Sequence, residues 1–101
     1  LQIAGTSSCV SVSGAGFANG TSVIAWPCVE GGHVSQEFSL VPVVDPLTGV
    51  IDFQIRPETA PASCLDIRGL TSIGVGAPLQ IWSCLSPLGW NQHFSVRAAT
   101  E

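Results

Sequence analysis

An all-β fold is what this sequence of 101 residues predicts, and three observations carry the prediction. Apolar residues alternate with polar ones or gather in runs of four to six; Gly, Pro, Asn or Ser bounds each run; no 3.6-residue period persists over ten residues. Seven Pro and 11 Gly interrupt the chain throughout, so no segment approaches the ~20 apolar residues of a membrane-crossing helix. One domain is the most that a chain of this length builds.

Taken in order, eight short strands are expected. Residues 1–4 and 9–13 alternate apolar with polar, and 21–26 is an apolar run ending on Trp26. Between the last two, Asn19-Gly20 is a turn sequence, because both residue types tolerate the positive φ that tight hairpin turns need. Residues 37–41 and 50–55 flank Asp45-Pro46-Leu47-Thr48-Gly49, a second turn in which Pro sets φ early and Gly supplies a left-handed exit. Segment 56–63 holds two Pro without alternation and is expected as a loop; strands at 64–68, 78–82 and 94–98 complete the set.

Charge narrows the partners. Three Arg (Arg56, Arg68 and Arg97) stand singly against seven acids, there is no Lys, and the net charge is −4. No stretch neutralises several phosphates at once, so nucleic acid and anionic membrane are excluded as expected partners. The charged fraction of 10% is well below the ~25% usual in soluble domains, so much of the surface is neutral or apolar and suited to a partner. The chain opens at Leu1 without an initiator Met and without an apolar leader, which fits a mature processed protein or a piece trimmed from a longer one. Four Cys in so small a chain, with no Cys-x-x-Cys, favour two disulfides and a secreted, oxidising setting, with three pairings open.

The second half of the sequence lies over the first. Cys9-Val10-Ser11-Val12 matches Cys64-Leu65-Asp66-Ile67 at an offset of 55; Trp26-Pro27-Cys28 matches Trp82-Ser83-Cys84, and Gln36-Glu37-Phe38 matches Gln92-His93-Phe94, both at 56. The chain is therefore expected to hold a two-fold repeat, about 1–42 and 50–98.

Cys-Leu-Asp-Ile, then Leu-Gln-Ile-Trp-x-Cys, then Asn-Gln-x-Phe resembles the ricin B-type lectin repeat, the Gln-x-Trp β-trefoil family. The resemblance spans nearly the whole chain as two repeats. It implies a β-trefoil-like fold, disulfides Cys9–Cys28 and Cys64–Cys84, and non-covalent binding of a galactose-type or related glycan. A trefoil has three repeats and this chain has two, so residues 41–63 would supply a degenerate third part, protomers would complete the barrel, or the units would pair as an open or rearranged sheet. Exposed strand edges and low charge together point to a homo-oligomer.

In the second unit the family's sugar-site positions carry suitable residues: Asp66 as hydroxyl acceptor, Gln80 at the rim, Trp82 as stacking platform, and Asn91 and Gln92 as amide donors and acceptors. The first unit has Ser11, Ile24, Trp26, Ser35 and Gln36 there, without carboxylate or Asn, so only the second unit is expected to bind sugar. Plain structural roles compete. A repeated Trp beside a disulfide is often core, Gln36 and Gln92 suit backbone bonding with Phe38 and Phe94 in the core, and Asp66 lies two residues from Arg68, as a surface ion pair would.

Catalysis is not expected. His33 and His93 lack a Gly-x-Ser-x-Gly nucleophile, the Cys are committed to disulfides, and the acids are too scattered to flank one glycosidic bond. Asp45 and Asp52 fall short of a calcium loop, so no metal or other cofactor is expected. Asn19-Gly20-Thr21 is an N-glycosylation sequon. Loop 85–90, Leu-Ser-Pro-Leu-Gly-Trp, is apolar for a connection. A rival expectation follows: a protein-interaction module such as a protease inhibitor, secreted effector or immunomodulatory protein, acting through loops 30–35, 43–49 or 85–90.

Overall fold

The computed structural model describes residues 1–3, 5–68, 77–85 and 90–95. The fold is all-β. Its strands are β1 (Ser8–Val12), β2 (Ser22–Pro27), β3 (Phe38–Val44), β4 (Ile51–Pro57), β5 (Ser63–Ile67) and β6 (Leu79–Ser83), with single-turn 3-10 segments at Ser13–Ala15, Val34–Gln36 and Trp90–Gln92.

Two antiparallel hairpins repeat one register. In the first, Cys9 pairs with Trp26 and Ser11 with Ile24; in the second, Cys64 pairs with Trp82 and Asp66 with Gln80. Cross-strand partners share a face and faces alternate along a strand, so these residues line one side of each hairpin. Val10, Val12, Val23, Leu65, Leu79 and Ile81 line the other. The hairpins join through β2 and β6 (Ser22↔Gln80, Val23↔Leu79) into one antiparallel sheet of order β1-β2-β6-β5. That places the two inner faces side by side, and Val12, Leu65 and Ile81 form a buried core with Phe17, Phe38, Ile55 and Phe94 packed against it.

Disulfides Cys9–Cys28 and Cys64–Cys84 close loops of sequence separation 19 and 20, each within one unit. Among the described residues few aliphatic side chains are fully buried, and each disulfide contributes about 3 kcal/mol on the loop-entropy account.

Between the units β3 and β4 form a two-stranded ribbon, paired from Phe38↔Pro57 to Val44↔Ile51. Its tip is the turn expected at 45–49. Asp45 Oδ1 accepts from Leu47 N (2.8 Å) and Thr48 N (3.3 Å), Gly49 N donates to Asp45 O (2.9 Å), and Gly49 takes φ 73°. The ribbon is longer than expected. β3 runs on through Pro42, which an edge strand tolerates because its missing N–H costs no ladder bond on the open side.

Other boundaries also depart from the sequence expectation. Arg56 and Pro57 belong to β4 rather than to a loop: Arg56 is held by Gln54 Oε1 and by Pro61 O (2.9 Å), and the turn starts only after Pro57. Within the described residues the strand expected at 1–4 is the bridge Gln2↔Cys9; Thr6 N donates to Ile3 O (3.1 Å) and Gly5 takes φ 75°, and residue 4 lies outside the described residues. The strand expected at 94–98 is, within the described residues, the bridge Phe53↔Phe94; residues 96–98, like 86–89 of the apolar loop, lie outside them. Asn19-Gly20 does form a turn, with Thr21 N donating to Ala18 O (3.1 Å), but inside a longer connection rather than as the tip joining β1 to β2. Among the described residues no helix is long and apolar enough to cross a membrane.

Candidate functional site

The outer face of each hairpin is overlain by the 3-10 turn that follows it, and a glutamine clamps the two together. Gln36 Oε1 accepts from Val29 N (2.9 Å) while its Nε2 donates to Pro27 O (3.0 Å). Gln92 does the same, accepting from Leu85 N (2.8 Å) and donating to Ser83 O (3.0 Å). Each clamp therefore brackets the second Cys of its disulfide, Cys28 or Cys84, tying the residue before it and the residue after it to one side chain. A primary amide accepts and donates at once from two adjacent atoms, which suits Gln to this span. Phe38 and Phe94, two residues on, pack on the core.

The second unit brings its expected site residues together. Asp66 is only 2% exposed; its Oδ1 accepts from Gln80 Nε2 (2.9 Å) and its Oδ2 from Gln92 Nε2 (2.9 Å). Gln80 in turn accepts from Arg68 Nε (3.0 Å), so Arg68 reaches Asp66 through an amide and not as the surface ion pair weighed above. Asn91 Nδ2 donates to Ile67 O (3.1 Å), while Asn91 Oδ1 is buried and has no partner among the described residues. His93 Nε2 is in the same position. Trp82 is 39% exposed. Gln92 is fully buried, so within this cluster it positions Asp66 and the turn rather than presenting itself at the surface.

The first unit has the same frame and different contents. Where Asp66, Gln80 and Asn91 stand in the second, it has Ser11, Ile24 and Ser35, and Ser11 Oγ reaches Ser35 Oγ at a long 3.5 Å. An open cavity of about 340 Å³ lies there, lined among others by Ser11, Ile24, Trp26, Val29, His33 and Ser35. Trp26 on its wall is 56% exposed. His33 caps the 3-10 turn: Ser35 N donates to His33 Nδ1 (3.2 Å), with the Ser35 hydroxyl 2.7 Å from the same nitrogen. Sequence reasoning gave this unit no site and missed the cavity. One signal was available, Gly31-Gly32, whose φ of 84° and 89° carry the chain through a turn just before His33.

Among the described residues no group of three or more His, Cys, Asp or Glu is placed to hold a metal ion. The disulfide-bonded state of all four Cys fits an oxidising environment. No family model, no curated protein and no solved structure matches this chain.

Proposed function

We propose that this chain is a secreted carbohydrate-binding module, a two-unit form of the Gln-x-Trp β-trefoil plan, which holds a galactose-type or related sugar of a glycan or glycoprotein non-covalently on the outer face of its second unit. The observation that carries this reading is an excess of buried acceptors. Asp66 receives two amide donors where a carboxylate offers about four lone-pair sites, and Asn91 Oδ1, one residue from the Gln92 clamp, receives none from the described residues. An orphaned buried acceptor costs about 1–3 kcal/mol, which vicinal sugar hydroxyls are suited to relieve as donors. Trp82 supplies the flat apolar surface for the C–H face of the ring, and Gln80 the rim. The reading needs no cofactor and no covalent step.

A specific observation favours a second reading, in which the module binds protein. The β3–β4 ribbon leaves Leu40, Val44, Val50 and Ile51 exposed, and Leu47 at its tip is 93% exposed. This covers loop 43–49 of the interaction hypothesis, and an exposed apolar face of this kind also suits a homo-oligomer.

The test is a glycan array of the oxidised protein with Asp66→Asn and Trp82→Ala beside it. Asp66→Asn keeps the side-chain shape, and Trp82 is half-exposed, so loss of a selective signal in both folded variants supports the sugar site. An array that stays blank, with folded protein sedimenting as a dimer or larger at micromolar concentration, overturns it in favour of the ribbon.

A further inference from the structure

Trp82 is opposed across the strand pair by a glycine. Bonds from Gly20 N to Ile81 O (2.8 Å) and from Ile81 N to Thr21 O (2.8 Å) extend the β2–β6 pairing beyond Ser22↔Gln80, so residues 19–21 run alongside β6. A β-carbon on Gly20 would stand 4.0 Å from the Trp82 ring, so the indole lies over bare backbone, as aromatic residues do when they cover a strand glycine. Asn19, next in that turn, is exposed. Its Oδ1 accepts from Ser83 N (2.8 Å) and Ser83 Oγ (3.2 Å), which orients the amide through its oxygen alone; Nδ2 makes no hydrogen bond to a described residue. The same three residues, Asn19-Gly20-Thr21, form the sequon.

We propose that Asn19 carries an N-linked glycan whose first N-acetylglucosamine lies against the exposed ring of Trp82. In the transfer, Nδ2 attacks the anomeric carbon of an oligosaccharide carried on a polyprenyl diphosphate. The N–C bond forms, the bond from that carbon to the phosphate oxygen breaks, Nδ2 gives up one proton and the lipid diphosphate leaves. The folded turn closes both ends of the acceptor: the Thr21 hydroxyl donates to Ala18 O (2.6 Å), and the Asn19 amide docks on Ser83, 64 residues further along the chain. Until β6 arrives the triplet is open, so modification comes first and folding then seats the sugar. The linkage leaves Oδ1 intact, and the Ser83 bonds survive it. Of the sugar site proposed above, only the exposed ring of Trp82 is involved, so Asn19 is modified whether or not the second unit binds a separate glycan; where both hold, the attached sugar competes for Trp82.

The test is secretion of the chain from a eukaryotic host, followed by intact mass before and after peptide N-glycosidase. The expected result is a mass excess removed by the enzyme and absent from Asn19→Gln and Thr21→Ala. After trimming to the single core N-acetylglucosamine, nuclear Overhauser transfer is expected between its ring-face protons and the Trp82 indole, with those sugar protons shifted upfield. Folded secreted protein without the mass excess overturns the modification, and attached sugar with neither Overhauser contact nor shift overturns its placement. Neither readout involves an added glycan, so failure here is distinguishable from a blank array.

Discussion

The two units share a frame and differ in what the frame encloses. Both have a hairpin with Cys opposite Trp, a disulfide closing a loop of 19 or 20 residues, and a Gln that brackets the second Cys. Only the second encloses a carboxylate, and there the Gln gains a third bond, from Nε2 to Asp66. In the first, Ser11 takes the place of Asp66 and a cavity the place of the network. The clamp is therefore a folding device that needs no ligand-binding residue, and the acidic network is an addition to it. A Gln-x-Phe motif on its own reports the frame and says nothing of binding.

The largest difference between the units is expected at the disulfides. Replacing either pair by Ala is expected to cost about 3 kcal/mol, since the loops are nearly equal, with a further penalty in the second unit because Cys64 is fully buried. Urea unfolding of the two double variants reads the difference; equal costs would show that burial at Cys64 adds nothing. Next come the clamps. Gln92→Ala leaves Asp66 Oδ2 without a donor, with Gln80 still on Oδ1, and strands two backbone groups, so it is expected to cost about 3 kcal/mol, whereas Gln36→Ala strands two neutral groups and costs about 1–2 kcal/mol. Similar midpoints for the two variants would mean that the Asp66 bond contributes no stability.

Ser11→Asp puts a carboxylate into the cavity that Ser11 and Gln36 line, with Ile24 where the second unit has Gln80. We expect a loss of about 1–2 kcal/mol, part of which returns when Ile24→Gln is added. Thermal melts of the single and double variants check the sign. Additive losses would mean that the two outer faces are less alike than their registers.

Much of this was legible in the residues. The repeat offset of 55–56 carries the two hairpins, because equivalent residues in equivalent registers end up in equivalent places; the turn at Asp45-Gly49 follows from its own Asp, Pro and Gly, and the grouping of Asp66, Gln80, Asn91 and Gln92 was implied by the resemblance to the lectin repeat. The union of β2 with β6 was not, since edge pairing is made by backbone groups that leave no side-chain pattern. Nor was the burial of Asp66: carboxylates belong at surfaces unless donors enclose them, and its two donors come from positions 14 and 26 residues away. The cavity beside Trp26 escaped for a related reason, because it depends on the short side chains of Ser11 and Ser35 leaving space unfilled.

The position of the two disulfides has a consequence for how the chain oxidises. Four thiols can pair in three ways, and the native way links Cys9 to Cys28 and Cys64 to Cys84, the pairings of adjacent thiols other than the 36-residue step from Cys28 to Cys64. Closure is less costly for short loops than for long ones, so random collision already favours these partners over any that span the ribbon. The first bridge can also form before the second pair of thiols has been synthesised. Oxidation and folding thus select the same isomer, and a shuffling enzyme has little to correct.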